Sequence, residues 1–364
     1  MALLALNECP LVARGLVSEV GLADFLSARA EGRPHFLLLC WDLTPAPTVN
    51  HLVKLQLIKF LQQHLGCPVM VQMVDDLAYL LDKSLTIKTA RALAADNLRH
   101  ILAELDPART FAFLNSENVQ RFYLNTIKMG KVIPLTESAA AGIPNIGIPT
   151  ATYAVRAACA ISFPGVIEAP AQCLIVCTKE EEPLYAVTRS AYRTPTAFGK
   201  LLGTEACMPP VPALLMVEPP CSLQSRQVRI DDAPADTNLL IADPLPRVTK
   251  CINKYCFSGG RDTLQEQQQR GANVEVDVGA RYLHYFYPAD GAAPRTLRQV
   301  LGAYGTDVDT TVTEHMSTGE FKKLVIEHVW GAIDRHQQAM AALTPEAIQA
   351  ALRAPSMPFV PVRH

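Results

Sequence analysis

The sequence predicts an α/β fold, with a parallel sheet flanked by helices on both faces, followed by an all-helical C-terminal domain. Short continuous apolar runs alternate with longer helix-type segments over residues 35–114. The runs lack the polar alternation of a half-solvated sheet, which is the pattern of strands buried on both faces. Beyond Pro244 strand-type runs stop and helical periodicity dominates.

The elements follow in order. His35–Trp41 (HFLLLCW) is the first strand, and a proline-rich turn, Leu43–Thr48, follows it. Val49–Leu65 is a helix with Leu52, Leu55, Ile58, Leu61 and Leu65 on one face, and Gly66 stops it. Val69–Met73 is the second strand. Thr86–Leu105 is a long helix closed by Asp106-Pro107, and Thr110–Leu114 is the third strand. This βαβαβ rhythm requires right-handed crossovers and a parallel sheet. Gln172–Cys177 and Pro212–Val217 are two further central strands, and Glu218–Asp243 is a long polar loop. The C-terminal helices are Arg247–Tyr255, Ala280–Phe286, Thr296–Ala303, Thr318–Leu343 and Pro345–Ala354. The divisions are an N-terminal extension over 1–34, the α/β domain over 35–244 and the helical domain over 245–364.

Composition narrows the function classes. The chain has 364 residues, 49% hydrophobic and 19% charged, which builds a core and excludes disorder. A net charge of −2 excludes a broadly basic nucleic-acid binder, though not a local basic patch. No apolar run reaches the ~18–20 residues of a membrane span. Met1–Gly15 carries Glu8 and only Arg14, so it is no clear signal or transit peptide. The expected location is intracellular, cytoplasmic by default, with a mitochondrial one left open. Neither Cys173/Cys177 nor Cys251/Cys256 has zinc-knuckle spacing, so no metal site is expected and the ten cysteines are read as reduced and mostly buried.

Five segments resemble eukaryotic-type tryptophanyl-tRNA synthetases, class I aminoacyl-tRNA synthetases. Lys254–Val278 (KYCFSGGRDTLQEQQQRGANVEVDV) and Met316–His328 (MSTGEFKKLVIEH) resemble the family's "AFSGGRDT" and "TGELKK" segments. Ile161–Pro170 (ISFPGVIEAP) is similar to "ISFPAIQAAP", Val71–Asp76 (VQMVDD) to "IQMTDD", and Glu182–Arg189 (EPLYAVTR) to "DPYFRMTR". Order and spacing agree from about residue 35 to 355. The resemblance implies a Rossmann-like catalytic-type domain with an insertion, an α-helical anticodon-binding-type domain, and a homodimer.

Adenylate formation relies on positioning and charge stabilisation around the ATP phosphates. At the family's H-x-G-H loop this chain has Thr48-Val49-Asn50-His51, and at its K-M-S-[AK]-S loop Arg229-Ile230-Asp231-Asp232-Ala233. Thr48 offers no cation, and Asn50 projects a side chain where glycine lets the nucleotide approach. The simplest reading of His51 is a helix-start residue facing solvent or a neighbour. Arg229 keeps a cation, but Asp231 and Ala233 replace the two serines, and Asp232 adds a carboxylate. A carboxylate ~4 Å from a phosphate costs about 4 kcal/mol at an effective dielectric near 20. The segment is read as a solvated acidic loop, with magnesium binding as the minor alternative. Of the positions matching the tryptophan pocket, Gln72 is retained, while Leu77, Ile167 (with Glu168 beside it) and Glu181 replace polar residues; the strand-one tyrosine position falls at Leu37. Each ligand group left unpaired costs roughly 1–3 kcal/mol.

The resulting expectation is a divergent paralogue with degraded catalytic motifs. It would be a catalytically inactive synthetase-like protein with a binding or assembly role. Its expected partners are a second copy or other proteins, and tRNA or another RNA, with no membrane and no cofactor. The first alternative is an active tryptophan–tRNA ligase using ATP and magnesium. The second is a different small-ligand binder or enzyme on the same fold. Lys322, Lys323 and Arg335 are read first as a solvated helix face, and Tyr282, Tyr285, Phe286 and Tyr287 first as core, with RNA contact the alternative for both groups.

Overall fold

The computed structural model describes residues 2–132, 171–192, 210–305 and 315–353. The segment Ile161–Pro170, with Ile167 and Glu168, lies outside them.

The N-terminal region forms a short helix α1 (Pro10–Ala13), strand β1 (Val17–Val20) and helix α2 (Leu22–Ala30). The α/β core continues with β2 (His35–Trp41), α3 (Val49–Leu65), β3 (Val69–Met73), α4 (Asp75–Leu81), α5 (Ile87–Leu102), β4 (Thr110–Leu114) and α6 (Asn115–Val132). It resumes with β5 (Gln172–Thr178), α7 (Glu182–Tyr192) and β6 (Ala213–Val217). The stretch read as a loop contains a hairpin of β7 (Cys221–Ser222) and β8 (Ser225–Arg229). Then come α8 (Leu245–Tyr255), α9 (Leu264–Arg270), α10 (Val278–Phe286), α11 (Leu297–Tyr304), α12 (Thr318–Ala342) and α13 (Pro345–Leu352).

The main sheet has the order β1-β6-β5-β2-β3-β4. Every pairing is parallel except β1 with β6, where Val17 faces Val217 in antiparallel register. The sequence expectation of a purely parallel sheet therefore needs one edge strand added, drawn from the first 34 residues. VSEV is too short and too polar to register as a strand by periodicity. The predicted helix Thr86–Leu105 is shorter, because Thr86 caps it and it ends at Leu102.

Strand β2 is buried along its whole length and serves both faces. Leu37, Leu39 and Trp41 join the core under α3 and α5, while Phe36, Leu38 and Cys40 pack on the opposite side with Met70, Phe111 and Ile175. That two-sided burial explains the unbroken apolar run. From β2 the chain proceeds outward to β3 and β4, whereas β5 returns on its other side. Strand order thus reverses between β2 and β5, and the crevice beyond the carboxyl ends of such strands is where open α/β sheets place ligands.

The helical region is fastened to the sheet by specific contacts. His336 of α12, fully buried, shares its Nδ1 with Glu104 Oε1 at 2.8 Å and its Nε2 with His100 Nδ1 at 3.0 Å. Gln337 donates to the carbonyls of Ile241 and Asp243. Helix α13 packs on β4. Tyr282, Tyr285 and Tyr287 are buried and donate to the carbonyls of Cys221, Pro219 and Arg295, as core residues do. Lys323 and Arg335 are exposed, while Lys322 donates to the Asn253 carbonyl. Among the described residues no helix is long and apolar enough to cross a membrane.

Candidate functional site

A cleft of about 350 Å³ opens at the reversal point between β2 and β5. Its wall takes Trp41–Thr44 from the end of β2, Asn50, His51 and Lys54 from the start of α3, and Thr178, Glu180 and Glu181 from the end of β5. Arg229 and Asp231 complete it from the end of the β7–β8 hairpin. The two segments matched to the family's nucleotide loops therefore face one cavity.

The floor is fixed by α5. Asn97 Oδ1 accepts from Trp41 Nε1 at 2.8 Å and from the Thr44 amide at 3.1 Å, and Asn97 Nδ2 donates to the Thr44 carbonyl. Three bonds from one buried amide hold the proline-rich turn against the sheet.

Thr48 is the N-cap of α3, and its backbone N–H donates to His51 Nδ1 at 3.1 Å. That bond places the imidazole proton on Nε2. The ring also leans on Trp41, with centroids 5.2 Å apart. Burial, then the nearby Lys54 ammonium, pushes the His51 pKa down to about 4. His51 is thus neutral at pH 7 and faces its neighbours, one of the two arrangements expected from sequence.

The cations are Lys54 and Arg229. Lys54 Nζ lies 3.3 Å from Glu181 Oε2 and 5.8 Å from the centre of the Trp41 ring. Burial opposes the Lys54 charge, but Glu181 and Asp42 outweigh it and raise its pKa. Glu181 also accepts from the Thr178 amide at 2.7 Å. Arg229 Nε bonds Glu180 Oε1 at 2.8 Å and lies 3.7 Å from Asp232. Glu180 and Asp231 both have raised pKa values, first from loss of water and then from neighbouring carboxylates, against the opposing pull of Arg229. Asp231 is exposed, sits in the 3-10 turn Ile230–Asp232 and lines the cleft. Four carboxylates (Asp42, Glu180, Glu181, Asp231) and two cations line this cavity among the described residues.

Gln72 and Leu77 are not among the described lining residues. Gln72 is buried in the sheet, accepting from Cys40 Sγ and donating to Asn115 Oδ1 at 2.9 Å. Leu77 is buried in α4, and Ala233 follows the 3-10 turn Ile230–Asp232. Lys54 escaped the sequence reading. A charge inside the apolar stripe of α3, three residues after His51, was the available signal, since such spacing shares a helix face. Among the described residues no group of three or more His, Cys, Asp or Glu side chains is placed to hold a metal. The described cysteines are free, and all but Cys221 are buried.

No family model matches the chain. It is 30% identical over 318 residues to the cytoplasmic tryptophan–tRNA ligase of Rattus norvegicus, covering 83% of this chain and 60% of that protein. With the Arabidopsis thaliana cytoplasmic tryptophan–tRNA ligase it shares 27% over 327 residues, covering 85% and 73%. The chain therefore spans about three fifths of the rat protein's length. A tryptophan-bound tryptophanyl-tRNA synthetase from Encephalitozoon cuniculi superposes with a TM-score of 0.80 at 22% identity, covering 97% of this chain and 93% of that one. A product-bound parasite tRNA synthetase gives a TM-score of 0.83 at 21% identity, with coverage of 97% and 92%.

Proposed function

We propose that this chain, similar to cytoplasmic tryptophan–tRNA ligases, descends from that family but no longer forms an adenylate and serves as a binding or assembly protein. One observation carries the proposal. The described lining of the cleft holds twice as many carboxylates as cations, and both cations already sit against carboxylates. A triphosphate entering there meets net negative charge, a neutral His51, and the side chain of Asn50. To reach a phosphate, Lys54 or Arg229 must abandon its partner. Transition-state stabilisation by pre-placed charge, the main contribution in this chemistry, is what such a cleft lacks. The test is tryptophan-dependent ATP–pyrophosphate exchange with purified protein. The expected rate is that of the protein-free control, and robust turnover rejects the proposal.

The second reading is an active, divergent tryptophan–tRNA ligase. The glutamine kept at position 72, where the resemblance places a tryptophan ligand, and the 30% identity to ligases favour it. It requires tryptophan with ATP to raise the melting temperature, because a ligand that binds only the folded state stabilises it. No shift at millimolar concentrations rejects this reading.

The binding role we propose includes self-association. Helices α4 and α6 pack together and leave Tyr79, Leu80, Leu81, Tyr123, Leu124 and Ile127 exposed on adjoining surfaces. Exposed apolar side chains on two helices that touch favour an interaction site there. A tRNA or other RNA partner is proposed from the relatives' named activity, and salt-dependent filter binding tests it.

A further inference from the structure

The chemistry that disfavours ATP favours a ligand of opposite charge. Asp42, Glu180, Glu181 and Asp231 surround the cleft, leaving its described lining two negative charges in excess over Lys54 and Arg229. The indole of Trp41, buried behind the wall, already holds the Lys54 ammonium near its ring. Asn50 adds an independent feature. It is 7% exposed and lines the cleft, and its Oδ1 is buried with no hydrogen-bond partner. Native proteins seldom leave a buried carbonyl oxygen without a donor. A bound donor would satisfy it. The carboxylates and Asn50 Oδ1 are hydrogen-bond acceptors, and with the excess negative charge they favour a donor-rich cation over an anion.

A bare metal ion fits poorly. Hard cations need several oxygens converging at about 2.0–2.6 Å, and no such group exists among the described residues. The acceptors are instead spread around about 350 Å³. That spacing suits an extended molecule with more than one ammonium. Resting on the reading that this cleft no longer serves ATP, we propose that it binds a small organic polycation of the diamine or polyamine class, with Asn50 Oδ1 taking one ammonium within the wall and Asp231 another at the rim, beside the Glu180–Arg229 pair. Glu180 and Asp231 both titrate above their ordinary range, which a bound cation would reverse.

Isothermal titration of the full chain with spermidine tests this, alongside Asp231→Asn, Asn50→Ala and the distant exposed Glu346→Gln as control. The expected result is a single site, weakened about tenfold or more in each cleft variant, as loss of a charge-assisted or buried hydrogen bond implies, and unchanged in the control. Asp231 is exposed, so its variant is expected to fold even if Asn50→Ala does not. No heat, several equivalent sites, or equal affinity in Asp231→Asn and the parent overturns the proposal. Pyrophosphate exchange on the same preparation separates the two readings. Absent exchange with absent spermidine binding removes only this inference, whereas exchange with tryptophan removes the reading beneath it.

Discussion

Lys54 sits where α3 meets the cleft, its ammonium shared between the Glu181 carboxylate and the Trp41 ring. Removing one member of a buried ion pair strands the other, at a cost of about 3–5 kcal/mol. Lys54→Met is therefore expected to lose about 3 kcal/mol, the lower end, because the Thr178 amide still donates to Glu181. Adding Glu181→Gln restores neutrality and keeps an acceptor for that amide, so the double variant is expected to recover to within about 1 kcal/mol of the parent. Urea denaturation of the three proteins decides it, and a double variant no better than the single contradicts the pairing. His51 makes a prediction about pH. Its pKa falls from an ordinary value near 6.5 to about 4 in the fold, through burial first. Between those values the unfolded chain binds a proton that the folded chain does not, so stability falls as pH drops from about 6.5 to about 4. The His51 share is on the order of 3 kcal/mol. His100 and His284, also lowered to about 4 by burial, act in the same direction. His51→Gln keeps an acceptor for the Thr48 amide, as glutamine does in a capping box. It should leave stability at pH 7 nearly unchanged and shrink the difference between urea midpoints at pH 7 and pH 4.5. An undiminished difference rejects this account.

Two glycines from the family-like segments are expected to respond in opposite ways, because the elements around them differ. Gly259 precedes α9 in a loop pressed against the chain; a Cβ there would run into the Asn273 carbonyl. Its amide donates to Asp277 Oδ2 at 2.9 Å, the carboxylate that also caps α10 through the Ala280 amide and accepts from Tyr304 OH. Gly259→Ala must displace backbone at this junction and is expected to cost about 3 kcal/mol, the upper end for overpacking. Gly319 lies in the first turn of α12 with open space where its Cβ would be. Gly319→Ala is expected to stabilise by about 0.4–1 kcal/mol, by restricting the unfolded chain. Thermal melts of both variants check the contrast, and equal effects would contradict it. Elements with strong packing requirements were legible in the sequence. β2, α3, β3 and β4 begin and end where apolar runs and glycine or proline punctuation place them. α9 (LQEQQQR) is polar after an exposed Leu264, and α4 and α6 direct apolar residues outward, so none of the three shows the one-sided pattern that announces a core helix.

At the scale of the molecule, the cleft was legible only in part. Both nucleotide-loop segments were found by resemblance, and chain reversal at β2 and β5 explains why they meet. What sequence does not carry is the closing of long loops by single side chains, such as His336 on Glu104 across 232 residues. Nor does it show which apolar residues stay outside. Leu81 and Leu124 are 61% and 71% exposed, on two helices that touch. Exposed apolar side chains grouped on two touching helices are a hazard for a monomer. Association of two copies through α4 and α6 would remove it, at about 25 cal/mol for each Å² of apolar area buried. The expected mass by light scattering at micromolar concentration is therefore twice 39.7 kDa. Leu81→Glu with Leu124→Glu places like charges in the middle of that face and should yield a folded monomer. Both positions are solvent-facing in the single chain, so each change should alter the fold's own stability by only about 0.5 kcal/mol. Any larger drop in melting temperature then measures the lost association and should vanish on dilution of the parent protein. A parent of 39.7 kDa at micromolar concentration, or a double variant that remains dimeric, would assign this face another role.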